Sequence, residues 1–276
     1  MPVPSTRRQK FTVGGMITSF HNFLLADKVL YGVLGVIIFL VFWQALSWIF
    51  NAMIVASPLA TINALFALLT ETKTWEYIMI TLFRLIVGLF LGSIVGLLLG
   101  LAAGTNKKIR QVLEPIKWTS MTIPAIVISI MAMLWFGMGS EQVIFVVIII
   151  VAPITYVNAM EGRFAIDEKL IEMGRCFNLP LKMFFREIYL PGIAASVIAG
   201  FALTAGMGVR VVVLAEFMGA HDGIGYGLSK SYMYLDTPEL FAWILISLAL
   251  LGLLEFGIMK PLKTHMMRWK KGGNLS

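Results

Sequence analysis

The chain of 276 residues has one cysteine, three histidines and only 13% charged residues. A single cysteine, Cys176, excludes an intrachain disulfide and any CxxC redox or metal motif. His21, His221 and His265 fall in scattered loops and offer no metal-ligand spacing. No G-x-x-x-x-G-K-[ST] segment occurs, so the chain has no phosphate loop with which to bind ATP. Nor do His, Asp, Glu, Ser and Cys cluster at acid–base spacing, which leaves an integral membrane enzyme without a visible site. The scarcity of charge, with 59% hydrophobic residues and a mean hydropathy of +0.87, excludes an ordinary soluble domain. An all-α polytopic membrane protein is expected.

With about 20 apolar residues needed to cross a bilayer, six spans are predicted, at 29–50, 77–104, 116–138, 142–160, 192–218 and 239–259. The first apolar run begins too late and runs too long for a cleaved leader, so it reads as a retained span. Segment 58–70, opened by Ser57-Pro58 and interrupted by Thr61 and Asn63, is too short and polar for a seventh and reads as an interfacial helix. Four regions follow: a cytoplasmic segment 1–28, the first span with the start of an external loop at 29–57, a core at 58–265 and a tail at 266–276.

Net charge of +7 finds its explanation in topology. With the N-terminus inside, the internal segments hold Arg7, Arg8, Lys10 and Lys28, then Lys107, Lys108, Arg110 and Lys117, then Arg163, Lys169, Arg175, Lys182 and Arg186, and finally Lys260, Lys263, Arg268, Lys270 and Lys271. The external segments hold only Lys73 and Lys230. Lys and Arg resist translocation, so both termini are expected in the cytoplasm, and nucleic acid is not an expected partner.

Two spans carry small residues at every fourth position: Gly88, Gly92, Gly96, Gly100 and Gly104 in the second, and Gly192, Ser196, Gly200, Thr204 and Gly208 in the fifth. Such stripes let helix backbones approach closely in lipid, either within one bundle or at a dimer seam; they are compatible with a homodimer. Pro124 and Pro153 are expected to kink or unwind the third and fourth spans. Arg84 and Arg210 lie at similar depth from the external side and could form an anion-attracting ring, although Arg210 could instead pair with Glu216, and Arg84 could snorkel outward. Met121, Met131, Met133, Met138 and Met207 could line a deformable cavity or simply fill gaps. Glu255 reads as an interfacial partner of Lys260 and Lys263.

Between the fourth and fifth spans lies an amphipathic island at 163–191. Asp167 can cap a short helix on which Ile166, Leu170, Met173 and Phe177 share a face. Asn178-Leu179-Pro180 breaks it, because Asn tolerates the left-handed conformation and Pro180 cannot continue a helix. A second helix follows, with Leu181, Phe184, Phe185 and Ile188 on one face, up to a stop at Ile188-x-Leu190-Pro191. On periodicity alone the island is either an ordinary interfacial loop or a docking element.

The island resembles the EAA loop of ABC-type importer permeases, whose pattern is Glu-Ala-Ala, three residues, Gly, nine residues, Ile-x-Leu-Pro. Glu172 falls on the Glu, Asn178 on the Gly, and Ile188, Leu190 and Pro191 on the terminal motif with every spacing kept. Met173 and Gly174 replace the two alanines and Asn178 replaces the glycine. The resemblance runs from about residue 58 to 265 and is nearest the nitrate, sulfonate and taurine branch, through Ser57-Pro58, Leu82-Phe-Arg84-Leu-Ile-Val-Gly88, Leu134-Trp135-Phe136-Gly137-Met-Gly139, Ala215-Glu216, Gly219-Ala220 and Gly223-Ile-Gly225-Tyr226.

This resemblance implies a type I importer permease fold with cytoplasmic coupling helices, in a bacterial-type inner membrane. It implies that Glu172, Met173, Gly174, Arg175, Asn178, Leu179, Pro180, Ile188, Leu190 and Pro191 couple to a cytoplasmic ATPase that binds the ATP and Mg. A second permease copy, an external solute-binding protein and membrane lipid are the other implied partners. The chain itself would be no enzyme and carry no cofactor. Transport by alternating access would move a small solute such as nitrate, bicarbonate, a sulfonate or taurine, with Arg84, Met207, Arg210 and Glu216 as candidate pathway residues. The alternative is an ion-gradient-driven secondary transporter, which would need no docking island and more often carries a midplane carboxylate.

Overall fold

The computed structural model describes residues 13–51 and 53–259, and no strand occurs among them. The expectations for Arg7, Arg8, Lys10, the segment from Lys260 to Lys271 and the tail at 266–276 lie outside the described residues. The chain divides at Leu59 into two units. In the first, α1 (Val13–Ile49) is long and apolar, and residues 30–42 are exposed, as suits a helix bathed in lipid. Trp43 donates from Nε1 to the Ala56 carbonyl at 2.9 Å.

After α2 (Pro58–Thr70), the second unit is built on α3 (Thr72–Thr105), α6 (Ser140–Phe164) and α9 (Leu190–Gly219). α3 and α6 run parallel in the closest contact of the fold. A Cβ on Gly88 would lie 2.6 Å from Val147, on Gly96 2.3 Å from the Ala152 carbonyl, and on Gly100 2.4 Å from the Tyr156 carbonyl. The second stripe is spent in the same way. A Cβ on Gly200 would meet Asn158 at 2.6 Å, and Gly162 of α6 faces Ser196. Both stripes therefore serve packing within the chain, and they carry no argument for a dimer seam.

Where a single third span was expected at 116–138, the chain forms α4 (Lys107–Thr122) and α5 (Ala125–Phe136), bent by 101°. Pro124 is the cause. Its ring forces Ile123 into an extended conformation (φ −69°, ψ 126°), and its missing N–H suits it to the start of a helix, so α5 begins immediately after it. Pro153, by contrast, is buried within α6, which continues unbroken to Phe164. Among the described residues, five helices are long and apolar enough to cross a membrane, or six if the bent pair is one span.

The island folds as α7 (Glu168–Cys176), a turn, and α8 (Leu181–Phe184), which runs through a π-helical segment, Phe185–Tyr189, directly into α9. Ile188-x-Leu190-Pro191 therefore does not stop a helix. A proline removes one N–H and crowds the carbonyl four residues back, and the wider π turn, with Leu190 N–H donating to Phe185, accommodates both. α10 (Ile224–Met233) and α11 (Thr237–Gly252), followed by a second π segment, Leu253–Met259, complete the described chain.

Candidate functional site

Asp167 accepts a hydrogen bond from Lys169 N–H at 2.9 Å and so opens α7. At the other end Asn178 has φ +49°, its N–H donates to Arg175 O at 3.0 Å, and Leu179 N–H reaches Gly174 O at 3.1 Å. That pair of bonds is a Schellman cap with Asn in the left-handed position usually held by Gly. Leu179 follows it into a cluster with Ile166, Ile171, Ile188 and Ile193.

Gly174 faces Phe184 and Ile188, and a Cβ there would lie 2.6 Å from the Phe184 ring. Glycine at this position lets α7 lie against the start of the next helix. The face of α7 turned to the chain is Ile171 and Gly174, and Ile166, read with Leu170, Met173 and Phe177 as one row, is instead buried beside Ile171. Leu170, Met173 and Phe177 point away from it, 47%, 46% and 74% exposed. Phe184 and Ile188 of the second helix turn inward, while Phe185 is half exposed and the side chain of Leu181 lies outside the described residues. A shallow depression of about 400 Å³ beside the cap is lined by Gly174, Arg175, Asn178, Leu179 and Phe184. Glu172, Arg175 and Leu190 are exposed, and Pro180 precedes α8.

Arg163, at the end of α6, holds the island. Its guanidinium lies 5.4 Å from the centre of the Tyr189 ring and 3.5 Å from Glu168. Sequence reasoning counted Arg163 only as an inside charge. Its position one helix turn before Asp167 was the available signal.

At the opposite end of the bundle, Arg84 of α3 is 1% exposed and Glu216 of α9 is 0% exposed, with Nη1 2.8 Å from Oε1. Arg84 also donates to Ser140 Oγ at 3.0 Å, to the Asp222 carbonyl at 2.9 Å and to the Asp222 carboxylate. Thr81 donates to Glu216 at 2.8 Å, and Gly225 N–H donates to it at 3.0 Å. Gly223, at φ +101°, leaves room for the carboxylate, since a Cβ would lie 2.4 Å from it. Arg84 thus neither snorkels nor joins a ring with Arg210, and Glu216 pairs with Arg84 rather than with Arg210. Thr81, Ser140 and Asp222 went unnoticed in the sequence, though Thr81 stands one turn before Arg84 on the same face.

Arg210 is exposed and has no ion pair among the described residues. With Leu203 and Met207, also exposed, it forms one stripe of α9. A guanidinium left facing hydrocarbon is costly, so this stripe calls for water or a polar partner.

The arrangement of helices is that of a type I ABC importer permease. An inward-facing structure of the methionine ABC transporter MetNI matches with a TM-score of 0.62 at 19% identity, over 72% of this chain and all of that one. The family described as "Binding-protein-dependent transport system inner membrane component" matches residues 88–266, and the chain belongs to that family. Among relatives, a putative aliphatic sulfonates transport permease protein of Bacillus subtilis is 24% identical over 241 residues, 87% of each chain. A formylaminopyrimidine transport permease protein of Halalkalibacterium halodurans is 28% identical over 204 residues, 74% of this chain and 81% of that one. The taurine transport system permease protein of Escherichia coli is 23% identical over 200 residues, 72% of each.

Proposed function

We propose that this permease moves a small anion across the inner membrane, driven by a separate cytoplasmic ATPase that docks on α7. The observation that carries this reading is the outward apolar row Leu170, Met173 and Phe177, on a helix whose other face is anchored through Ile171 and Gly174. An amphipathic helix exposing apolar residues at i, i+3 and i+7 suits insertion into a partner's groove. Because α7 joins, through one short turn, the continuous helix formed by α8, the π segment and α9, displacement of α7 would be transmitted to the stripe bearing Arg210.

In this reading both termini and the α7 end are cytoplasmic, ATP and Mg bind in the ATPase, and an external binding protein delivers the substrate. A second copy of the chain would enclose the Leu203, Met207 and Arg210 stripe. Arg84 and Glu216 brace the external end without touching the substrate. Sulfonates and taurine, named for two of the relatives, are the leading candidates, with nitrate and bicarbonate beside them.

The test is reconstitution with the partner ATPase and binding protein in liposomes. Uptake is expected to require ATP and all components, and a thermal-shift screen of the binding protein against these solutes identifies the cargo. Gradient-driven uptake by the chain alone would overturn the reading.

A further inference from the structure

An open groove of about 710 Å³ runs between the last turn of α3 on one side and α8 with the π-helical segment on the other. Leu101, Ala102, Phe184, Phe185 and Tyr189 line it together with Thr105 and Lys182. The Thr105 hydroxyl is already bonded to the Leu101 and Ala102 carbonyls. Lys182 is therefore the one charge lining the groove, and it is exposed with no ion pair among the described residues.

The groove sits where two membrane spans end, Thr72–Thr105 and Lys182–Gly219, which is the depth at which lipid headgroups meet acyl chains. Its apolar walls suit a hydrocarbon chain and its single cation suits a phosphate. Lys107, Lys108 and Arg110 follow Thr105 directly, so the neighbourhood favours net negative charge. We infer that this groove binds an anionic phospholipid of the phosphatidylglycerol class, with an acyl chain between Phe185 and Ala102 and its phosphate on Lys182. Its placement in the cytoplasmic leaflet rests on the orientation proposed above.

The occupant would brace the coupling element from behind. Phe184 packs on Gly174 of α7, and Tyr189 lies beneath Arg163. A lipid between them and α3 fills the open side of the π segment.

The test uses the permease assembled with its ATPase in nanodiscs of mixed phosphatidylglycerol and phosphatidylcholine, with native mass spectrometry reading the lipids each complex retains. Wild type is expected to retain phosphatidylglycerol in preference to phosphatidylcholine. Lys182→Gln should lower that preference about fivefold, the scale of one cation near an anionic surface. Ala102→Trp should fill the groove and reduce retention of both lipids, and unfolding in phosphatidylcholine alone verifies that each variant folds. Unchanged retention and selectivity in both variants overturns the proposal. So does Ala102→Trp releasing the second copy, or exposing residues 260–276 to protease, while lipid retention stays at the wild-type level. Retention is read by mass and not by ATP hydrolysis, so failure of α7 as a docking helix would leave this result unchanged.

Discussion

Arg84 and Arg210 carry the same charge in neighbouring helices and sit in opposite surroundings, one buried and paired, the other exposed. Arg84 is enclosed by Glu216, Asp222 and Ser140, and Glu216 is itself held by Thr81 and Gly225. Removing one member of such a pair leaves an uncompensated buried charge. Arg84→Ala or Glu216→Ala is expected to cost about 3–5 kcal/mol, seen as a large drop in the thermal midpoint of the purified protein. Arg210→Ala removes an exposed group with no ion pair, so stability should stay within about 0.5 kcal/mol while uptake of an anionic substrate falls and the ATPase remains bound. Unchanged uptake would remove Arg210 from the pathway. The sequence places the two arginines at similar distances from the ends of their spans. Their different surroundings were not legible there, because Asp222 and Ser140 reach Arg84 only through the tertiary fold.

At the scale of elements, the glycine stripes and the α7 cap decide the geometry. Gly96→Leu would drive a side chain into the Ala152 carbonyl and separate α3 from α6. Overpacking of this kind costs typically about 1–3 kcal/mol, and at a backbone contact more, measurable by unfolding in detergent. Asn178→Val should lose about 1–2 kcal/mol from its left-handed position, whereas Asn178→Gly should be tolerated, with α7 integrity followed by protease resistance of the island. Helix existence, the Asp167 cap and the Asn178 break were readable from local chemistry. Which side of α7 faces outward was not. The row Leu170, Met173 and Phe177 has the right period for either side, and only Gly174, against which Phe184 packs, identifies the inner one. In the same way Pro124 and Pro153 look alike in sequence. Pro124 forms a 101° corner while Pro153 is absorbed in α6, because neighbouring helices hold the latter in place.

For the whole molecule, function rests on two ends of one bundle that do different work. At one end the buried Arg84–Glu216 network fastens α3, α6, α9 and the loop before α10 together. At the other, α7 is anchored on one face through Ile171 and Gly174 and presents apolar side chains outward on the other. A buried polar network at one end and an outward apolar row at the other suit the externally driven permease proposed above. The apolar runs made a multi-pass membrane protein plain, although the third run folds as a bent pair, while the ATPase proposed as driving partner rests on the register of Glu172, Asn178 and Ile188. The most direct test of coupling through α7 is the ratio of substrate uptake to ATP hydrolysis in proteoliposomes holding the complete transporter, for wild type against Met173→Glu and Phe177→Glu. The account predicts that each charge on the outward row either detaches the ATPase or lets it hydrolyse without uptake, with the permease still folded; a wild-type ratio in both variants would contradict it.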